Sequence, residues 1–543
     1  MKITQEANVA ITHEVLNQPP PLVDYNLFTC DRVLMEALDR EGAGWASARV
    51  EEFGRLVGSE AAIRWGFQAN EFPPVLRTHD RFGHRIDEVE FHPAWHELMR
   101  LSVAHGLANL PWAEPKPGAH VARAALMLLA SQNEAGHTCP VSMTYSAMPA
   151  LRQQPDLARE WEPRILSTKY DSLCRPSVEK SGALIGMAMT EKQGGSDVRA
   201  NTTTAEPIGA GEYLITGHKW FCSAPMCDAF LVLAQAPAGL TCFLLPRWTP
   251  DARRNAFHIQ RLKQKLGNRS NASSEVEFNG AWARRIGEES RGVPTIIEMV
   301  QHTRLDCVIG TASLMRQALV QALHHARHRK TFGRFLIDQP LMQNVLADLA
   351  LESEAATVLT MRLARAFADE RAFARLATAV AKYWVCKRGP AQVNEALECL
   401  GGNGFVEECV MPRLYREAPL NSIWEGSGNV ICLDILRAMN KEPDALASVL
   451  DEIGQARGAD ARFDAFMNNL EKDLLTPPEE ATARGIAERM ALALQASLLI
   501  RHSIAPVADG FCASRLANDA GRAFGALPSN TNFPAIIDRA LTR

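Results

Sequence analysis

Between about residues 185 and 285 the hydrophobic period switches from that of helices to that of strands, and then switches back. In Glu212-Tyr213-Leu214-Ile215-Thr216 and Phe230-Leu231-Val232-Leu233-Ala234, apolar and β-branched residues cluster in short runs bounded by Gly, Asn and Asp. Such runs predict a compact all-β unit, either a sandwich or a small barrel. On both sides the period is helical. Ala119 to Glu134 reads as an Ala-rich amphipathic helix, and Leu341, Val345, Leu346 and Leu349 fall on one face of another. The expected fold is therefore α+β and multidomain. It has an N-terminal arm and helical domain over 1–180, a β domain over 181–288, a helical bundle over 289–440 and a further helical domain over 441–543. The arm, to about residue 40, is irregular because Pro19, Pro20 and Pro21 exclude a helix. In the last segment Leu446, Val449, Leu450 and Ile453 mark one helix and Ile486 to Ile500 another.

Charge and cysteine usage remove several function classes. The formal net charge is −4, so nothing global draws the chain to nucleic acid, although a local patch remains open. Residues 441–543 carry 11 Lys and Arg against 14 Asp and Glu, which is not a basic tail. The 12 cysteines include no CxxC pair, and Cys386, Cys399 and Cys432 sit in apolar contexts suited to packing. Met1 to Glu6 contain no apolar leader core, and the longest apolar run, Met490 to Ile500, is too short to span a bilayer. The expectation is a reduced, cytoplasmic protein outside the membrane. Neither GxGxxG nor GxxxxGK[ST] occurs, which disfavours the usual nicotinamide and nucleoside-triphosphate enzymes. His324 and His328 stand one helical turn apart but lack acidic or Cys company, and His92 with His96 is not HExxH. No metal is expected.

Several segments carry chemistry. Leu400-Gly401-Gly402-Asn403-Gly404-Phe405 is a glycine turn that lets backbone approach a large ligand. Ile423-Trp424-Glu425-Gly426-Ser427-Gly428-Asn429 places one carboxylate between an aromatic and a glycine turn. Desolvation by Trp424 would raise its pKa and suit a general base, and a helix cap followed by a loop is the plain alternative. Met189-Thr190-Glu191-Lys192-Gln193-Gly194-Gly195-Ser196-Asp197-Val198 offers hydroxyls for the polar edge of a heterocycle, or else a capped Gly-Gly hairpin. Gly217-His218-Lys219-Trp220-Phe221-Cys222-Ser223 sets two aromatics beside a hydroxyl, and in a strand only one of the two faces the interior. The cationic run up to Arg329-Lys330 reads as a phosphate site or as a solvated helix face.

Taken together and in this order, these segments resemble the acyl-CoA dehydrogenase family over roughly residues 150 to 440. The resemblance implies bound FAD and α,β-dehydrogenation of an acyl thioester. It implies Glu425 as the catalytic base and Met189, Thr190 and Ser196 at the flavin, with Trp424, Ser427 and Asn429 also contacting it. A gapless alignment puts Phe221 in the place of the family's flavin-side Trp and Ser223 in that of its hydroxyl. The alternative alignment uses Trp220 and Cys222. Thr303-Arg304 matches the family's substrate-side Thr-Arg, implying Arg304 at the substrate. Arg329 and Phe332 match its RxxFG, whose Arg reaches a partner subunit's FAD, and Gly401 and Gly402 match the turn at the adenosine end. The chain departs from the family at Glu398, Gln301, Gln339-Pro340 and the polar loop Gly267 to Ser273.

The Asn17 to Leu22 arm, Arg40 to Trp45, Phe91 to His96, Lys263 to Ser273 and the C-terminal extension resemble the family's adaptive-response branch. That implies a homotetrameric flavoprotein that binds double-stranded DNA, protects it from alkylation damage, and has weak or latent dehydrogenase activity. Arg437 is the implied DNA contact. The rival expectation is a competent short- or branched-chain acyl-CoA dehydrogenase of metabolism.

Overall fold

The computed structural model describes residues 12–517 and 519–541. The reading of Met1 to Glu6 lies outside those residues. Within them the chain runs helical, then β, then helical again, as its periodicities require. The arm ends earlier than expected, because the first helix begins at Arg32 behind an Asp31 N-cap that accepts the Leu34 N–H.

One hairpin interrupts the N-terminal helices, pairing β1 (Val75–His79) with β2 (Arg85–Glu90). The Asp80 carboxylate accepts the N–H groups of Phe82 and His84, and Gly83 takes φ 88°. Neither strand has a well-buried face, so its sequence shows no clean alternation. The segment Ala119–Asn133 is a helix, but every residue except His120 is buried. It is the centre of the N-terminal domain rather than an amphipathic surface helix.

The β domain contains β3 (Ile185–Ala188), β4 (Thr204–Gly209), β5 (Glu212–Ser223), β6 (Ala229–Ala236), β7 (Gly239–Pro246), β8 (Phe257–Leu262) and β9 (Ser273–Ile286). Pairings β6–β4, β4–β5, β5–β9, β9–β7 and β7–β6 return to their start, so of the two expected forms the barrel is the one adopted. Closure removes the open sheet edges that a sandwich would leave. Strand β3 adds parallel to β6, and β8 pairs with the long β9.

A 37-residue helix, Gly292–His328, then runs as the spine of the bundle, flanked by Pro340–Ala366 and Arg371–Cys399. On Pro340–Ala366, Leu346 and Leu349 are fully buried, but Leu341, in its first turn, is 85% exposed. The extension continues through Pro443–Gly454, Ala461–Leu474 and Ala483–His502. Buried ion pairs fasten its end to the bundle. Arg515 reaches Asp348 and Glu352, and Arg539 holds Glu354 at 2.9 Å. No helix among the described residues is long and apolar enough to cross a membrane.

Candidate active site

Glu425 sits in a loop just before the helix Gly428–Lys441. Its backbone takes φ 59°, a left-handed conformation that a side-chain-bearing residue adopts only at a cost of about 1–3 kcal/mol. Gly426 follows at φ 112°. Two buried cations hold this strained turn by its carbonyls: Arg304 Nε donates to the Glu425 oxygen at 3.1 Å, and Lys382 Nζ donates to that of Gly426. Arg304 is fixed in turn by Asp434 at 2.7 Å, and Arg375 grips the other oxygen of Asp434 at 2.9 Å.

The carboxyl group of Glu425 accepts one strong hydrogen bond, from Thr303 Oγ1 to Oε2 at 2.7 Å. Burial raises its pKa above the ordinary carboxylate value, and the Thr303 bond and the charges of Arg304 and Lys382 offset this in part. The result is a carboxylate that favours taking a proton, held in one orientation. Trp424 is half-buried, and its indole N–H donates to Asn421 Oδ1 at 2.8 Å, which fixes the ring next to the base.

On the barrel side, β5 divides its residues by face. Cys222 is fully buried in the barrel core, while Phe221 is 50% exposed and Ser223 half-buried. Of the two candidate pairs, only Cys222 has no open surface; Trp220, like Ser223, is half-buried. The Lys263 ammonium lies over both aromatics, 3.6 Å from the Trp220 ring centroid and 4.5 Å from that of Phe221. Strand β5 also anchors the turn that carries Thr190 and Ser196. The Trp220 N–H donates to the Thr190 carbonyl at 2.8 Å. Below it Lys219 and Glu191, both without exposed side-chain surface, pair at 2.7 Å. Burial opposes charge on both. The ammonium and the Thr202 and Thr203 N–H groups nonetheless hold Glu191 below its usual range. Met189 and Thr190 are half-buried and Ser196 exposed.

The remaining expected residues stand elsewhere. Arg329 and Phe332 lie at the far end of the spine, 26 positions from Thr303, roughly 40 Å at 1.5 Å per residue. Phe332 is fully exposed, and Arg329 donates to the Asn17 carbonyl of the arm at 2.7 Å. Gly401 and Gly402 face open space, where a side chain would meet nothing within 4 Å. His324 Nε2 lies 2.8 Å from the Pro20 carbonyl, so this histidine ties down the arm. Arg437 is 65% exposed, with Asp434 at 3.9 Å. Ser427 and Asn429 are exposed.

Sequence reasoning missed the clamp residues Lys382, Arg375 and Asp434, and also Arg484 from the extension. Arg484 donates twice to Asn429 Oδ1, at 2.9 and 2.7 Å, which turns the amide so that its NH2 points away from the guanidinium. The one available signal was a lysine, Lys382, within the apolar run Ala379-Val380-Ala381-Lys382-Tyr383-Trp384-Val385.

Comparison with known proteins identifies the family. The family described as the adaptive response protein AidB N-terminal domain matches residues 17–172. The acyl-CoA dehydrogenase middle domain matches 186–281, and the C-terminal domain of the same family matches 290–440. AidB of Escherichia coli K12, named among the acyl-CoA dehydrogenases, is 46% identical over 92% of this chain and 94% of its own. Acyl-CoA dehydrogenase family member 11 of Caenorhabditis elegans is 28% identical over 87% of this chain and 83% of its own. The crystal structure of ACDH-11 from that organism, in complex with C11-CoA, superposes with a TM-score of 0.86 at 27% identity, covering 94% of each chain. The chain belongs to the acyl-CoA dehydrogenase family, in its AidB-like, adaptive-response branch.

Proposed function

We propose that this protein is an FAD-dependent acyl-CoA dehydrogenase in which Glu425 removes the α-proton of an acyl thioester. The observation that carries this reading is the Thr303–Glu425 hydrogen bond on a loop clamped by Arg304 and Lys382, with burial raising the carboxyl pKa. A general base works best with its pKa brought toward the working pH, and the environment of Glu425 pushes it that way. Arg304 acts here as a positioning residue, since its Nε and Nη1 are engaged by the loop and Asp434.

The residues fit a flavin. The exposed face of Phe221, the half-buried Ser223 and Thr190, and the exposed Ser196 offer an aromatic surface beside hydroxyl donors. Gly401 and Gly402 leave backbone open to close approach by a large group. When bound, FAD supplies the acceptor for the β-hydrogen, taken as hydride. Arg329, Phe332, Gly401 and Gly402 would hold its distal part in a second copy of the chain. The distance of roughly 40 Å along the spine supports that division, because one chain does not surround the whole cofactor. The exposed Phe332, Leu341, Phe405 and Ile423 are apolar surface that a homotetramer would cover. The C11-CoA bound by ACDH-11 supports an acyl-CoA as the substrate class.

A second reading adds association with double-stranded DNA and protection against alkylation, with only weak or latent turnover. The 65% exposed Arg437 favours it, its pairing with Asp434 being long at 3.9 Å. The extension favours the first reading, because Arg457, Arg462, Arg489, Arg501, Arg515 and Arg539 are all paired with carboxylates. The test is Glu425→Gln. Thioester turnover should fall by about 10³-fold or more while FAD content stays unchanged. Retained turnover would remove Glu425 from the chemistry.

A further inference from the structure

Just past the spine helix the chain makes a short hairpin, Lys330–Thr331 against Arg334–Phe335. Its two turn residues are both left-handed, Phe332 at φ 51° and Gly333 at φ 79°. Glycine adopts that conformation freely, but a bulky residue does so only under strain. The strained Phe332 is fully exposed, so nothing it packs against within one chain offsets the cost. Directly opposed pairs in such a hairpin alternate between hydrogen-bonded and non-hydrogen-bonded. Thr331 with Arg334 closes the turn, and the Leu336 N–H donates to the Arg329 carbonyl at 2.9 Å. Lys330, opposite Phe335 between those pairs, therefore turns its N–H and C=O outward, away from its partner strand.

One residue of the N-terminal arm closes that open edge. Asn17 Oδ1 accepts the Lys330 N–H at 2.7 Å, and Asn17 Nδ2 donates to the Lys330 carbonyl at 2.9 Å. The Asn17 carbonyl accepts from Arg329 Nη1 at 2.7 Å. Asn17 is itself left-handed, at φ 59°, which asparagine tolerates better than most residues. The next stretch of arm is tied down in turn. Asn403 Nδ2 donates to Gln18 Oε1 at 3.4 Å, and His324 Nε2 lies 2.8 Å from the Pro20 carbonyl. The arm thus bridges the Arg329–Phe332 tip and the Gly401–Gly402 turn. Asn17 and Lys330 are both exposed, so these bonds add little to the stability of the fold. What they fix is the direction of one guanidinium and one ring.

We propose that Asn17 is a positioning residue of the cofactor site. Its amide sets the base of the hairpin and its carbonyl sets Arg329, so that Arg329 and Phe332 meet the distal part of an FAD held by a second copy of the chain. This rests on the flavin reading above and extends it to the arm.

Asn17→Gly is the variant of choice, because glycine takes φ 59° without strain and only the amide is lost. Equilibrium dialysis of the full chain against FAD, at low and high salt, compares it with Arg329→Gln and with the double variant. Arg329→Gln should weaken FAD at least tenfold and flatten the salt dependence, since it takes a guanidinium from a phosphate-bearing ligand. Asn17→Gly should weaken FAD about fivefold and flatten the salt dependence in the same direction. The double variant should bind no more than about twofold weaker than Arg329→Gln, because the two residues act as one unit. The Tm of the FAD-free chain should be the same in all four proteins. A loss in Asn17→Gly that persists undiminished in the Arg329→Gln background would overturn the proposal. So would unaltered FAD affinity in Asn17→Gly beside a loss in Arg329→Gln, a result that leaves the flavin reading standing. Unaltered affinity in Arg329→Gln would instead overturn the assignment of Arg329 on which the proposal rests.

Discussion

Replacing Lys219 by Met isolates the support beneath the turn that carries Thr190 and Ser196. In the native chain Lys219 Nζ bonds Glu191 Oε1 at 2.7 Å and the Leu233 carbonyl at 2.8 Å, with neither partner side chain exposed. Methionine fits the space but leaves Glu191 as an unpaired buried carboxylate, and such a loss costs about 3–5 kcal/mol. With an unfolding entropy of about 2.1 cal/mol/K per residue, that lowers Tm by about 3–4 °C if all 543 residues unfold together. If a β domain of about 100 residues unfolds alone, the same loss is about 15–25 °C, so the size of the drop also reports the cooperative unit. Urea unfolding at neutral pH, followed with the release of flavin fluorescence, measures both.

The pH dependence gives the reasoning a sign. Native Glu191 is held below its unfolded pKa, so its stabilisation is present above that value and is lost as pH falls. Without the ammonium, the burial that raises the Glu191 pKa loses its main counterweight and the folded pKa moves upward. The penalty in Lys219→Met is then largest at neutral pH and is relieved on acidification. Adding Glu191→Gln should recover most of the loss. A cost below about 1 kcal/mol at neutral pH, the size of a solvated pair, would refute the account.

Other expectations rest on named contacts. Thr303→Val removes the hydrogen bond that favours the Glu425 anion, so its raised pKa rises further. The acid limb of the kcat/KM profile should then move to higher pH. Arg484→Ala frees the Asn429 amide; both residues are exposed, so stability should change by no more than about 0.5 kcal/mol while FAD affinity falls severalfold. Equilibrium dialysis alongside a melting curve checks this. Arg437→Ala should leave Tm unchanged and, if the DNA reading holds, flatten the salt slope of DNA binding by about 0.9.

The sequence made the alternation of helical and β regions legible because hydrophobic period is a local property. Glu425 stood out for the same reason, its aromatic and glycine neighbours being adjacent in the chain. The two alignments around Phe221 were not separable by sequence, because the choice turns on which face of β5 is buried. The hairpin at Val75–Glu90 was missed because neither of its strands buries one face. The clamp was beyond reach for another reason. Arg304, Lys382 and Asp434 meet the Glu425 loop across the bundle, and no spacing rule pairs residues separated by 121 positions, as Arg304 and Glu425 are. Arg484 and Asn429 join two segments that read as separate helical units.

The most direct test of the central claim is anaerobic titration of the FAD-loaded protein, native and Glu425→Gln, with a panel of acyl-CoAs while flavin absorbance is followed. The account predicts bleaching of the native flavin by at least one thioester and none in the variant, with both flavins still reducible by dithionite. Fast bleaching marks a competent short- or branched-chain dehydrogenase, and slow bleaching a weak one. Equal bleaching of native and variant protein, or none in the native protein with any thioester, would contradict it.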